Sequence, residues 1–308
     1  MTSSAAYIFP GQGSQVVGMG RALVAAYPVA RDTFAEADEI LGFALSAVCF
    51  AGPGEVLTDT RNAQPAILTA SIAAWRALHA ARPELAGPCC VAGHSLGEYS
   101  ALVVAGALAF EDAVRLTRTR GNLMAQAGTD APGSMAAILK LDDEQVAALC
   151  SQAAAESGDV VQVANYNSPG QVVISGGTAG VAAATALMKA AGGRALPLAV
   201  SIAAHSALMA PAAQEFAEWV AGTPIRAPHT SVIGNVGAAA LTTADAIRAE
   251  LVAQLTLPVR WTASIRRMIA GGATRFVELG PGTVLTGLVK RIDASVEVMN
   301  VAQPEDIQ

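Results

Sequence analysis

Short apolar runs alternate with helical patterns through the first half of this 308-residue chain, and that alternation constrains the fold more than any other feature. The run AYIF is followed by the helix-like RALVAAYPVARDTFAEADEIL, then by ILTASIAAWRALHAA, then by CCVAG leading into EYSALVVAGALAF. Apolar strands separated by helices require crossover connections, so the expected core is a parallel sheet covered on both faces. Between residues 133 and 201 the pattern changes. There the order reads strand SMAAILK, helix DDEQVAALCSQAAAES, strands DVVQVANYN and GQVVISG, helix TAGVAAATALMKAAG and strand RALPLAVS. That βαββαβ order is ferredoxin-like. After it longer helical patterns return and end in the strand-like RFVELG. The expectation is an α/β protein with a large parallel-sheet domain, residues 1–132 and 202–308, interrupted by a small ferredoxin-like subdomain, residues 133–201.

Composition supports a packed α/β protein and excludes several functions. Hydrophobic residues make up 53% and charged residues 14%, against roughly a quarter charged in an average soluble domain, which excludes disorder. The stretch from Ala195 to Gln214 has no Asp, Glu, Lys or Arg, yet Pro197, Ser201, His205, Ser206 and Pro211 punctuate it. It does not read as a spanning helix, which needs about 20 predominantly apolar residues. A net charge of -6 gives no general attraction to nucleic acid. Cys49, Cys89, Cys90 and Cys150 show no zinc-binding spacing and no disulfide framework, so buried reduced thiols are expected. The N-terminal residues lack the basic and apolar regions of a signal peptide, and a cytoplasmic location is expected.

The strongest local signal is Gly93-His94-Ser95-Leu96-Gly97, placed between apolar CCVA and a long apolar helical run. A G-x-S-x-G between strand and helix is a nucleophile elbow, in which glycines permit a tight turn that presents the serine Oγ. An ordinary glycine-rich turn with an incidental serine is the alternative. A serine nucleophile needs a base. Of the four histidines, His79 lies at the polar end of a helix, His229 in a Pro-bounded turn, and His94 inside the elbow, pointing away from Ser95. His205 follows a strand-like run and precedes a helix, where a loop residue can reach across to another strand end. No Asp or Glu between Ser95 and His205 sits at an obvious strand end, so a dyad is favoured, with a carbonyl orienting His205.

Arg120 carries the most information about a substrate. Stepping about 100° per residue groups Ala113, Leu116, Thr117, Leu123 and Met124 on one helix face with Arg120 in its middle, while Arg115, Arg118 and Asn122 point the other way. An inward guanidinium needs an anion, either a protein carboxylate in an internal salt bridge or the carboxylate of a substrate held by a bidentate fork. The segments Gly11-Gln12-Gly13 and Gly280-Pro281-Gly282 do not complete a dinucleotide fingerprint. Gln12, beside a strand end, can instead present its backbone N–H to a developing oxyanion, with the N–H of Leu96 as partner.

These motifs together resemble the malonyl-CoA:acyl carrier protein transacylase family, and discrete acyltransferases of polyketide synthases. The resemblance runs from YIFPGQGSQVVGMG through NAQPAILTAS, AGHSLGEYSAL, RTRGNLMAQA, GSMAAIL, NYNSPGQVVISG, HSALM and PVRWTASI to ELGPGTVLTGLVKRI, nearly the whole chain. It implies a hydrolase-like α/β domain with a ferredoxin-like insertion, and an acyltransferase that moves malonyl from malonyl-CoA to the phosphopantetheine thiol of acyl carrier protein. It implies Ser95 as the acyl-accepting nucleophile, His205 as general base and acid, and Arg120 as the malonyl carboxylate ligand. Gln12 and Leu96 would form the oxyanion hole, and Gln254 would orient His205 through its backbone carbonyl. Met124 and Asn165 would line the site.

The same resemblance implies no cofactor and no metal, a monomer, and an acidic carrier protein docking transiently on a basic patch, for which Lys189, Arg194, Arg266, Arg267, Lys290 and Arg291 are candidates. One position departs from the family pattern. Ala204 stands before His205 where Phe or Ser is usual, which leaves malonyl against a branched extender such as methylmalonyl open. A serine hydrolase or thioesterase using the same elbow, and a non-catalytic docking subunit, are the rival readings. The sequence does not separate fatty acid from polyketide supply.

Overall fold

The computed structural model of the chain describes residues 4–85, 87–198, 200 and 202–307. Its strands, in chain order, are β1 (Ala5–Phe9), β2 (Cys90–Gly93), β3 (Gly133–Leu139), β4 (Val161–Ser168), β5 (Gln171–Gly177), β6 (Arg194–Pro197), β7 (Ser231–Ile233), β8 (Ala240–Leu241), β9 (Arg275–Leu279) and β10 (Glu297–Val301). They form two sheets. The larger has the order β10-β9-β1-β2-β7-β8. Its strands are parallel except β8, which turns back antiparallel on β7.

Both faces of this sheet are buried, as the apolar runs anticipate. Tyr7, Phe9 and Val91 point into one core with Ile67, Leu102, Leu116 and Phe216 from the covering helices. Ala6, Ile8 and Ala92 alternate with them and face a second core built around Trp261, Ile265, Phe276 and Leu288. The abundance of Ala suits this arrangement. The helix Thr60–Ala81 buries Ala63, Ala66, Ala70, Ala73, Ala74 and Ala77, small residues that let neighbouring helices come close.

The second sheet is antiparallel with the order β4-β5-β3-β6. With the helices Asp143–Ser157 and Thr178–Ala190 it makes a βαββαβ ferredoxin-like unit around Ile138, Val146, Val172, Ile174 and Met188. The large parallel sheet with this unit is the α/β fold that the alternation implied. Two expectations need correction. The helical pattern from Arg21 to Leu41 is two helices, Arg21–Ala26 and Pro28–Leu41, because Tyr27 is extended before Pro28, as a residue preceding proline prefers to be. The strand expected to run to Ser201 ends at Pro197, while Ala199 and Ser201 lie outside the described residues.

Hydrogen bonds join β4 to the rest of the fold, one of them at His205 itself. The N–H of Tyr166 donates to the Val259 carbonyl (2.9 Å) and the N–H of Val259 to the Ala164 carbonyl (2.9 Å). Gln162 on β4 donates from Nε2 to the carbonyls of His205 (3.1 Å) and Thr256 (3.0 Å). Among the described residues no helix is long and apolar enough to cross a membrane.

Candidate active site

β1 and β2 are paired so that Phe9 lies opposite Gly93, and the two loops that follow therefore emerge side by side. The N–H of His94 donates to the carbonyl of Phe9 (3.0 Å), which ties the loops together. Between β2 and the helix Gly97–Val104 the chain turns sharply enough to put Ser95 at φ 51°. Such a conformation costs about 1–3 kcal/mol in a residue with a side chain. Two glycines make the turn possible. A Cβ on Gly93 would lie 1.8 Å from the carbonyl carbon of Gly97, and a Cβ on Gly97 would lie 2.0 Å from the carbonyl oxygen of Phe9. The motif is thus a true strand–turn–helix elbow.

Ser95 Oγ lies 2.8 Å from His205 Nε2. His205 is buried and itself has φ 58°. Its Nδ1 lies 2.7 Å from the backbone carbonyl of Gln254, which can only accept, so Nδ1 carries the proton and Nε2 is left as the acceptor for Ser95 O–H. Burial, then the nearby Arg120 cation, pushes the His205 pKa down to about 3, against the opposing effect of the Gln254 carbonyl. The imidazole is accordingly neutral near pH 7. The place of a triad acid is taken by a backbone carbonyl.

Arg120 is 2% exposed, on the inward face of the helix Phe110–Asp130. Among the described residues it has no carboxylate partner. NH1 donates to Gln64 Oε1 (2.7 Å), and NH2 donates to Gln254 Oε1 (3.0 Å) and Ser95 Oγ (3.2 Å), while Nε has no partner among the described residues. The internal salt bridge, one of the two readings open at the sequence level, is not what the structure contains. Burial lowers the Arg120 pKa, with Tyr99 and Glu98 acting the other way.

A cleft of about 830 Å³ opens over these groups and is lined by Gln12, Ser95, Arg120, Met124, Asn165 and Ala204. Met124 is buried beside Gln64, whose Nε2 lies 3.5 Å from its Sδ. Asn165 enters from β4, so the small sheet forms one wall. Gln12 is exposed, and its side chain accepts from Thr60 Oγ1 (2.8 Å). Among the described residues, no protein acceptor takes the backbone N–H of Gln12 or of Leu96. Gln12 lines the cleft, and Leu96 follows Ser95 directly in the elbow. Ala204 packs beside Met135, Ala164 and Val173.

The remaining histidines stand apart from Ser95 Oγ. His94 Nε2 lies 2.8 Å from Asn167 Oδ1, and its ring meets Trp261 edge-on. His79 is half-buried near the Tyr7 hydroxyl (3.4 Å). All six basic residues singled out as a docking patch are exposed. Lys290 is engaged with the carbonyls of Ala294 (3.2 Å) and Val296 (2.6 Å), and Arg291 with Gln171. Among the described residues, no cluster of His, Cys, Asp or Glu could hold a metal ion.

Three polar residues were not singled out from sequence. Asn235, just past β7, accepts the N–H of Ser95 at Oδ1 (2.7 Å) and donates from Nδ2 to the Gly93 carbonyl (2.8 Å), bracing the elbow from behind. Glu98 is fully buried and receives the N–H (3.1 Å) and Nδ2 (3.0 Å) of Asn235 and Nε2 of Gln254. Gln64 holds Arg120. Glu98 alone carried a signal, a carboxylate in the otherwise uncharged helix GEYSALVV.

Comparison with known proteins agrees with this geometry. The acyl transferase domain model matches residues 6–303. The malonyl CoA-acyl carrier protein transacylase of Escherichia coli (strain K12) is 48% identical over 300 residues, covering 97% of this chain and 96% of its own. The crystal structure of an acyl carrier protein S-malonyltransferase from Vibrio cholerae superposes with a TM-score of 0.94 at 47% identity over 99% of both chains. A malonyl-transacylase solved in complex with its type II PKS acyl-carrier protein gives a TM-score of 0.95 at 44% identity, over 99% of this chain and 98% of its own. With its elbow, dyad and buried arginine in place, this chain belongs to the acyl transferase family, among the malonyl CoA-acyl carrier protein transacylases.

Proposed function

We propose that the chain transfers malonyl from malonyl-CoA to the phosphopantetheine thiol of acyl carrier protein through a malonyl ester on Ser95, for fatty acid or polyketide synthesis. The observation that carries this reading is Arg120, a buried cation without a carboxylate partner, 3.2 Å from Ser95 Oγ. A simple esterase has no use for such a group. A substrate bearing a free carboxylate next to its thioester does.

The chemistry follows from the atoms in place. His205 Nε2 takes the Ser95 proton as Oγ attacks the thioester carbon. The oxygen that becomes anionic is held by the N–H groups of Gln12 and Leu96. Collapse of the adduct breaks the C–S bond, and the proton on His205 goes to the departing CoA sulfur. The carrier thiol then gives its proton to His205, attacks the ester, and restores Ser95 O–H when the adduct collapses. Gln254 keeps the imidazole in the required tautomer throughout. Arg120 holds the malonyl carboxylate and so fixes the ester where a bound thiol meets it before water does, with Met124 and Asn165 shaping the acyl pocket.

Each group comes from one chain and the chemistry calls for no cofactor, so a monomer suffices. Lys189, Arg194, Arg266, Arg267, Lys290 and Arg291 are the proposed contacts for an acidic carrier protein, docked transiently. Cys49, Cys90 and Cys150 are buried free thiols, whereas Cys89, expected to be buried, is exposed; free thiols fit a reducing, cytoplasmic setting. Intact-mass analysis after incubation with malonyl-CoA tests the reading. A malonyl adduct on Ser95 that persists until carrier protein is added supports it, and steady CoA release without carrier protein makes the enzyme a hydrolase. The small Ala204 leaves room beside the acyl group, so competition between malonyl-CoA and methylmalonyl-CoA in the same loading assay fixes the extender.

A further inference from the structure

The orientation of Arg120 depends on the amide of Gln254, and an amide has a right and a wrong way round. Gln254 Oε1 accepts from Arg120 NH2 (3.0 Å), while Nε2 donates to the Ser95 carbonyl (3.1 Å) and to Glu98. Turned over, the amide would set Nε2 against the guanidinium, donor against donor. The backbone carbonyl of the same residue accepts from His205 Nδ1 (2.7 Å). Gln254 therefore touches both the base and the cation.

Glu98 decides which way the amide lies. Its carboxylate is fully buried, and the hydrogen bonds it makes all come from donors: the N–H and Nδ2 of Asn235 at Oε1, and Nε2 of Gln254 at Oε2. Asn235 is locked in turn, since its Oδ1 takes the Ser95 N–H and its Nδ2 also reaches the Gly93 carbonyl. Among the described residues Glu98 has no Lys or Arg partner. Burial and the neighbouring Glu250 push the Glu98 pKa up, while the donors from Asn235 and Gln254 act the other way. In this arrangement Oε1 takes both N–H groups of Asn235 and Oε2 takes Nε2 of Gln254, so both oxygens serve as acceptors.

We infer that Glu98 is a positioning residue for substrate carboxylate recognition, holding the Gln254 amide with its oxygen toward Arg120 so that the guanidinium stays aimed beside Ser95. The inference rests on the reading of Arg120 as the ligand of the malonyl carboxylate. Glu98 touches neither substrate nor reacting atoms. Its influence passes through Gln254.

The substitution Glu98→Gln tests this, because it keeps shape while replacing one acceptor oxygen by a donor and removing the carboxyl's charge. With its oxygen kept toward Asn235, residue 98 presents an NH2 to Gln254 Nε2, and the Gln254 amide must turn over or withdraw. Steady-state transfer to holo carrier protein is measured with malonyl-CoA and with acetyl-CoA, alongside Arg120→Met. The expected result is a KM for malonyl-CoA raised, and a malonyl-to-acetyl ratio of kcat/KM lowered, by roughly tenfold or more. Equal loss with both substrates, or an unchanged ratio, overturns the inference. If Arg120→Met lowers the ratio and Glu98→Gln does not, the role of Glu98 fails and the proposed function stands. If Arg120→Met leaves the ratio unmoved, the reading of Arg120 itself fails. Where Glu98→Gln does not accumulate as folded protein, Gln254→Met removes the amide and keeps the carbonyl that faces His205. The same fall in ratio is then expected, and an unchanged ratio again refutes the inference.

Discussion

Replacing Arg120 by Met is the most informative single perturbation of this site. Methionine fills much of the space left by the arginine stem and removes the charge with its donors to Gln64, Gln254 and Ser95. A malonyl carboxylate loses two charge-assisted hydrogen bonds, each worth about 1.5–3 kcal/mol, so transition-state binding falls by about 3–6 kcal/mol. At about 1.4 kcal/mol per decade, kcat/KM for malonyl-CoA drops by roughly 10² to 10⁴. An acetyl group has no carboxylate to lose. Its transfer changes only through the bond between NH2 and Ser95 Oγ, a factor of about ten. The variant should remain folded, since the buried cation it removes makes no direct salt bridge among the described residues, and the orphaned amide oxygens of Gln64 and Gln254 cost about 1–3 kcal/mol each. Carrier-protein loading with each CoA ester, read by mass, gives the ratio directly. If malonyl and acetyl transfer fell together, Arg120 would be a structural cation and the assignment of the substrate would lose its basis.

Three further outcomes follow from the geometry. His205 holds its pKa near 3 when folded against about 6.5 when unfolded, so between those values the unfolded chain binds a proton that the folded chain refuses. Its contribution to stability is present above pH 6.5 and lost as pH falls toward 3; thermal melts across that window should show a shallower acid decline in His205→Gln, and parallel curves would refute the burial argument. Gly97→Ala puts a Cβ 2.0 Å from the Phe9 carbonyl oxygen, and the elbow cannot yield without parting β1 from β2. A loss of several kcal/mol is expected, and a melting temperature within a few degrees of wild type would refute it. Asn235→Ala strands the Ser95 N–H and removes a donor from the Gly93 carbonyl, at about 1–3 kcal/mol for each buried group left unpaired, while Glu98 loses one donor and keeps the backbone N–H of residue 235; denaturant unfolding should register it, with Ser95 acylation slowed as well.

Where local pattern and tertiary role coincide, this fold and site are legible from sequence. The GHSLG turn announced itself because strand, glycines and helix are all local, and the βαββαβ order needed only alternating periodicities. Arg120 was readable because a helix places its own residues on faces, with no knowledge of what lies opposite. Other features were not local. β7 has only three residues, Ser231–Ile233, too few for a periodicity, yet it carries the chain to Asn235. Gln64 and Gln254 are ordinary glutamines in their own helical segments, and their function exists only where those segments meet around Arg120. The break at Tyr27 was available from Pro28 and was overridden by the longer apolar pattern around it.

The arrangement of charge in the interior explains why the site can wait for its substrate. A buried guanidinium beside a protein carboxylate would be satisfied, and a malonyl group would then have to displace that carboxylate at a cost comparable to its own binding. Here the cation is held by the neutral oxygens of Gln64, Gln254 and Ser95, which fix its direction without neutralising it. The carboxyl of Glu98 is set one residue further away, behind the Gln254 amide, with burial and Glu250 pushing its pKa up. That placement leaves Arg120 donors, Nε among them, free for an incoming anion. Moving the carboxylate into direct contact should therefore abolish the function while stabilising the protein. Gln64→Glu, which would pair directly with Arg120 NH1, is expected to raise the melting temperature and depress malonyl transfer together. A variant that gained stability with malonyl transfer intact would show that an uncompensated cation is not what the site requires.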